Sequence, residues 1–161
     1  MLIKKEEIKL FKFKNIGTFD VAHNVPYCVT PVALKNGFAV TYDEAKKTVA
    51  LPTSSTAKGK LAVVYNIIDK PGIKNPDDYT IKIGEYPRLI TLDSIDGHIV
   101  VVNKTAFANT YTTPAVGDKL VAGTDGKWAK TSDVSGYAQY LEVTALVSYN
   151  GKGVEAKVVN A

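Results

Sequence analysis

Short hydrophobic segments separated by Gly, Pro, Asn and Asp recur along most of this chain. Residues 119–122 (KLVA) and 127–130 (KWAK) flank the turn sequence GTDG. Asp-Gly between two such segments predicts a β-hairpin, because glycine adopts the positive φ that a tight turn requires. Residues 37–42 and 48–51 flank a charged turn at 43–47 and predict another hairpin.

The number and spacing of these segments predict the fold class. Residues 61–68 are the best candidate for a central strand, since they are apolar enough to be buried on both faces. Other strands are predicted at 27–30, 80–83, 87–92, 98–103, 139–149 and 154–159, with a Pro- and Gly-containing loop at 69–79. We therefore expect an all-β fold of short antiparallel strands, either a β-sandwich or a small β-barrel built from hairpins.

The first residues form a separate unit in this prediction. Hydrophobic and charged residues nearly alternate over 8–14, which favours an extended N-terminal arm, although the Lys and Glu residues of 2–10 also suit a helix. The Thr- and Asn-rich segment 106–114 is the best internal boundary. We therefore predict an arm at 1–20, a main β domain at 21–108, and a C-terminal β-hairpin subdomain at 109–161 packed on or next to it.

Composition narrows the class of protein. With 161 residues, 17.4 kDa and 45% hydrophobic residues, the chain suits one ordinary domain with a buried core. The single cysteine, Cys28, excludes an intrachain disulfide and is predicted to be a small buried side chain. The charged N-terminus is not expected to be a secretory signal, and no apolar segment is long enough to cross a bilayer. We expect no membrane association.

The charge pattern bears on nucleic-acid binding. The net charge is +4, but Arg88 is the single arginine among the 20 basic residues. Reading of base edges and bidentate phosphate contacts favour the planar guanidinium, and the lysines are scattered beyond the first 14 residues. We therefore expect no specific nucleic-acid partner.

No motif predicts catalysis, a metal or a cofactor. The two histidines, His23 and His98, lack a second ligand at metal spacing, and no nucleophile elbow, phosphate loop or dinucleotide fingerprint is present. Asp93 and Asp96 lie near His98, but Ser-Ile-Asp-Gly between two strands is more simply a turn. A small β-fold hydrolase remains an alternative because carboxylates need only meet in space, with Asp93, Asp96 and Glu142 as its candidates.

Aromatic residues near the C-terminus have two interpretations. The favoured one packs Trp128 and most of the rings into the core, with Tyr137 or Tyr140 as exceptions. In the other, Trp128, Tyr137 and Tyr140 are exposed aromatic contacts that stack on sugar rings or anchor a protein interface.

Three segments carry a resemblance to a known family. Residues 34–40 (LKNGFAV), 84–89 (GEYPRL) and 116–121 (VGDKLV), with the closing strand at 154–159, resemble the capsid decoration, or cement, proteins of tailed bacteriophages. The resemblance covers residues 34–105 and the C-terminal part of the chain. It implies a non-enzymatic virion protein, made in the host cytoplasm, that binds the outer surface of the capsid and stabilises the head.

The same resemblance implies the major capsid protein as partner, and repeated attachment to a symmetric shell favours a homo-oligomer, above all a trimer. The arm is the predicted attachment element, because strand addition supplies binding through main-chain hydrogen bonds and its lysines suit an acidic surface. Its predicted contact residues are Ile3, Ile8, Lys9, Leu10, Phe11, Lys12 and Phe13. The alternative to a head protein is a tail-, baseplate- or fibre-associated module that binds carbohydrate or protein.

Overall fold

The computed structural model describes residues 11–13, 16–18, 28–68, 70–148 and 152–161, the first two segments by their backbone only. Strands dominate, and they form two antiparallel sheets of seven and four strands. The strands are β1 Phe11–Phe13, β2 Ile16–Thr18, β3 Ala39–Asp43, β4 Thr48–Ala50, β5 Ala62–Val64, β6 Leu89–Thr91, β7 Ile99–Asn103, β8 Lys119–Ala122, β9 Trp128–Thr131, β10 Gln139–Val147 and β11 Gly153–Asn160. Short 3-10 helices lie at Thr56–Lys58, Pro76–Asp78, Leu92–Ile95 and Lys104–Ala106.

The larger sheet has the order β1-β2-β7-β11-β10-β8-β9, and the smaller one has the order β4-β3-β5-β6. Within the described residues neither sheet closes into a barrel, so the all-β prediction is confirmed in its sandwich form. The longest pairing joins β10 to β11, with a register shift between Val143 and Ala145. A shift of this kind increases the local twist of the sheet.

Both predicted hairpins are present. β8 pairs with β9 from Lys119↔Thr131 to Ala122↔Trp128, and β3 pairs with β4 from Thr41↔Ala50 to Asp43↔Thr48. Gly126 in the first turn has a φ of 77°, as the Asp-Gly signal requires. The second turn places Lys47 at a φ of 54°.

Two hydrophobic clusters lie on opposite faces of the smaller sheet. One fills the space between the sheets and includes Val63 of β5, whereas Ala62 and Val64 belong to the other cluster, which loop residues cover. All three residues of β5 are buried, which confirms a central strand that is apolar on both faces. The smaller sheet is therefore the middle layer of the molecule.

Several predicted strands are shorter than expected. In place of strands at 27–30 and 80–83 the described residues make single bridges, Val29↔Thr48 and Leu34↔Ile81. The strand predicted at 87–92 spans Leu89–Thr91, and the central strand spans Ala62–Val64. Beyond the end of the central strand, Asn36 takes the place of a ladder partner for Asn66. Its side chain accepts from the Asn66 N–H at 2.7 Å and donates to the Asn66 carbonyl at 2.6 Å.

The described part of the N-terminal arm forms two strands. β1 pairs with β2, and β2 pairs with β7 through Ile16↔Val102 and Gly17↔Val101. The larger sheet thus takes strands from the predicted arm, the main domain and the C-terminal subdomain. The division into three units stays a prediction. Among the described residues no helix has the length and apolar character of a membrane span.

Candidate binding surfaces

The predicted attachment arm supplies one edge of the larger sheet. Phe11, Lys12 and Phe13 form β1, the outermost strand, while Ile3, Ile8, Lys9 and Leu10 lie outside the described residues. Within the described residues β1 is hydrogen-bonded on one side, by β2. A strand of this kind presents main-chain donors and acceptors that can pair with another chain.

The other three sheet edges are covered or bridged. β9 is bridged to Phe107 at Trp128, and β4 is bridged to Val29 at Thr48. All three residues of β6 are buried. Strand addition therefore meets fewer obstacles at β1 than at any of these edges.

Trp128 is buried, which confirms the favoured interpretation for this residue, and its alternative role as an exposed contact is wrong. Its side chain is 0% exposed, and its indole N–H donates to the Gly37 carbonyl at 2.9 Å. The residue lies opposite Ala122 on the inward face of the larger sheet, and Gly37 precedes β3 of the smaller sheet. Trp128 thus fixes the two sheets to each other, and a sugar cannot stack on it.

Tyr137 and Tyr140 are partly exposed, but each ring faces a lysine. The Lys58 ammonium lies 5.8 Å from the Tyr137 ring centroid, and the Lys119 ammonium lies 5.8 Å from that of Tyr140. These distances permit cation–π attraction. The carbohydrate-binding alternative loses its central residue, Trp128, and keeps two rings that already contact cations.

The carboxylates suggested for a hydrolase have structural partners. Asp93 accepts from the buried Gln139 amide at 2.7 Å and pairs with the Lys60 ammonium at 2.7 Å. Asp96 accepts from the Asn160 N–H at 3.0 Å. Glu142 lies three positions after Gln139 on β10, so it belongs to the opposite face of the sheet from the side chain that holds Asp93.

The segment around Asp93 and Asp96 is a turn, as expected. It forms the 3-10 helix Leu92–Ile95, and the Gly97 N–H donates to the Val158 carbonyl at 2.9 Å. In the described part of the chain no group of three or more His, Cys, Asp or Glu residues could hold a metal ion. Cys28 is 0% exposed, and burial raises the pKa of its thiol, so the thiol is poorly placed to react.

A polar cluster around Asp118 was not predicted. Its carboxylate accepts from the Tyr111 hydroxyl at 3.0 Å and the Ala115 N–H at 2.9 Å, and it pairs with the Lys130 ammonium at 2.5 Å. Burial acts to raise the pKa of Asp118, but these hydrogen bonds outweigh burial and hold it below 3.8. Burial, with the bond to Asp118, raises the pKa of Tyr111.

This cluster holds the loop before β8 against the sheet. A carboxylate with several donors around it is a stable acceptor rather than a base awaiting a proton. In the sequence analysis Gly117 and Asp118 appear only within the resemblance of residues 116–121.

A cleft of about 490 Å³ lies where the two sheets meet, and it also was not predicted. Three lysines, two phenylalanine rings and two polar side chains line it: Lys35, Lys104, Lys127, Phe38, Phe107, Thr105 and Asn109. They come from three segments far apart in the chain, which is why no local motif reveals them. Its size is within the range of ligand sites in proteins, ~300–1,000 Å³.

No protein-family model matches this chain, and no curated protein and no solved structure matches it. The candidate surfaces therefore have to be judged on their own geometry. Among the described residues, β1 has no partner strand on its outer side and the cleft is accessible, whereas Trp128, Asp93 and Asp118 make contacts within the fold.

Proposed function

We propose that this chain is a non-enzymatic virion structural protein that attaches to the outer surface of a bacteriophage capsid and stabilises the head. The observation that carries the proposal is the position of β1, which comes from the N-terminal arm and forms an edge of the seven-stranded sheet. The resemblance of residues 34–40, 84–89 and 116–121 to capsid decoration proteins supports the same role.

Attachment occurs by strand addition. A strand of the major capsid protein pairs with β1, so that main-chain hydrogen bonds supply binding and side chains on both strands set the register. The arm lysines, including Lys12 next to Phe11 and Phe13, attract an acidic capsid surface. A homo-oligomer, with a trimer favoured, matches the symmetry of such a shell.

Deletion of residues 1–14 tests the proposal. The deletion removes β1 but keeps β2, which can still pair with β7. We expect the truncated protein to fold, with the fluorescence of its buried single tryptophan unchanged, and to lose binding to capsid shells that lack the protein. Retained binding would refute attachment through the arm.

A charge variant separates the strand from its lysines. Replacing Lys4, Lys5, Lys9, Lys12 and Lys14 with glutamine keeps the arm length and the backbone donors. We expect this variant to bind capsids with a slower association rate and a weaker salt dependence, because screened charges act mainly on encounter. Complete loss of binding in this variant would assign attachment to charge rather than to strand pairing.

Electron cryomicroscopy of particles tests the location. Density for the chain repeated over the head lattice is the expected result, with residues 11–13 against the shell. Density confined to the tail would contradict a head protein and favour the tail or baseplate alternative.

A further inference from the structure

The cleft between the two sheets has a distinct chemistry. Its apolar wall consists of Phe38 and Phe107, and the Phe107 ring contacts Tyr111 edge-on with the ring centroids 5.0 Å apart. Phe107 is 5% exposed and packs in the core, so the partly buried Phe38 ring supplies most of the apolar surface that a ligand side chain can reach.

Three lysines from separate segments surround this apolar wall. Lys35 precedes β3, Lys104 begins the 3-10 helix after β7, and Lys127 precedes β9. None of the four ion pairs among the described residues uses any of these three lysines. Their charges are therefore available to a ligand.

Two of these lysines donate hydrogen bonds to uncharged acceptors, which leaves their charges unpaired. The Lys35 ammonium donates to the Asp77 main-chain carbonyl, and the Lys127 ammonium lies 3.4 Å from the Asn109 side-chain oxygen. Both acceptors are uncharged. The Asp77 carboxylate accepts from the Asn103 amide at 3.2 Å.

Hydrogen bonds join the three segments that line the cleft. Trp128, which follows Lys127, donates its indole N–H to the carbonyl of Gly37, which precedes Phe38. The Ala108 N–H donates to the Trp128 carbonyl at 2.8 Å. The Ala39 N–H, one residue after Phe38, donates to the Gly126 carbonyl at 2.7 Å. A preformed site of this kind loses little conformational entropy on binding.

We infer that this cleft binds an acidic segment of a partner protein, with one aromatic side chain against Phe38 and flanking carboxylates at the lysines. Cations on three separate segments match several separate negative charges better than one phosphate group, which proteins commonly hold with arginine or with adjacent main-chain N–H groups. The inference rests on the proposed function, in which the chain attaches to another protein, and it adds a second contact to the β1 edge.

A labelled peptide tests the inference on the isolated full chain. The probe is a fluorescein-labelled peptide with one phenylalanine between two pairs of acidic residues, and its binding is followed by fluorescence anisotropy. We expect saturable binding that weakens with added salt, and weaker binding when serine replaces the phenylalanine or when amides replace the acids. The absence of saturable binding up to millimolar protein would overturn the inference.

A pair of double variants locates the binding. Lys104→Gln with Lys127→Gln removes two charges from the cleft and should weaken binding about tenfold, since each ion pair at such a rim contributes up to ~1 kcal/mol. Lys46→Gln with Lys157→Gln removes two exposed charges, one in the β3–β4 turn and one on β11, and should leave the affinity unchanged. Equal losses in both double variants would show attraction by net charge and would refute a site.

Two further results discriminate the ligand class and separate this inference from the proposed function. Displacement of the peptide by millimolar inorganic phosphate at constant ionic strength would assign the cleft to phosphate and overturn a peptide site. If peptide binding holds while capsid binding by the full chain fails, the cleft stands and the proposed function does not. If capsid binding holds while the peptide fails to bind, only the cleft inference is refuted.

Discussion

Substituting alanine for Gly126 should destabilise the fold more than the same change at any exposed turn glycine. Gly126 has a φ of 77°, and its carbonyl accepts the Ala39 N–H at 2.7 Å. A Cβ at this position would lie 2.9 Å from the Ala39 carbonyl oxygen and 3.0 Å from Leu51 Cδ2. The first contact is with backbone, so it cannot be relieved by rotating a side chain.

The magnitude follows from two separate costs. A left-handed backbone conformation costs an L-residue ~1–2 kcal/mol, and overpacking a filled site costs a further ~1–3 kcal/mol. The lower entropy of the unfolded alanine chain offsets ~0.4–1 kcal/mol. We therefore expect Gly126→Ala to lower the free energy of unfolding by about 2–4 kcal/mol.

Gly136 provides the matched control. Its φ is 81°, and a Cβ there would have no heavy atom within 4 Å, so Gly136→Ala carries the conformational cost without the contact. We expect a loss of about 1 kcal/mol or less. The difference in unfolding free energy between the two variants therefore gives the cost of the close contacts of a Cβ at position 126 with Ala39 and Leu51.

Urea unfolding followed by the fluorescence of Trp128, the single tryptophan and 0% exposed, measures both variants directly. The slope of the free energy against urea should stay constant, so that the midpoints report stability. Equal destabilisation by both substitutions would refute the reasoning, because it would leave no cost to the close approach of Gly126 and Ala39.

Two other predictions concern buried polar groups. Gln139→Leu removes the acceptor of the Leu61 N–H at 2.7 Å and should lower the free energy of unfolding by about 1–3 kcal/mol, because a buried donor is left without a partner. A loss well below about 1 kcal/mol in urea unfolding would contradict this. Asp118 has a pKa below 3.8 in the folded state, so its contribution to stability is present above that pH and is lost as the pH falls through the folded-state value. Asp118→Asn should therefore make the urea midpoint fall less steeply as the pH drops below about 4, because the other carboxylates contribute equally to both proteins. If the midpoints of the two proteins fall in parallel with pH, the result argues against the Asp118–Lys130 contact.

Sequence patterns determined the parts of the fold that depend on neighbours in the chain. Hairpins around Gly126 and at 43–47 were predictable because turn chemistry and strand alternation are local properties. The burial of β5 on both faces followed from its uninterrupted apolar residues. The lengths of strands at 27–30, 61–68 and 80–83 did not follow from local patterns. Beyond the end of β5, for example, the side chain of Asn36, distant in sequence, bonds the main chain of Asn66.

The tertiary structure alone decided the candidate surfaces. The sequence around Trp128 is compatible with an exposed platform and with a core residue. Its burial depends on packing against the segment of Gly37, 91 residues away, whose carbonyl accepts the indole N–H. The cleft lysines are individually ordinary and become a site only because two sheets bring Lys35, Lys104 and Lys127 around one apolar wall. Local sequence fixes periodicity and turns, whereas contacts between distant segments depend on how whole sheets pack, and that packing determines which side chains a partner can reach.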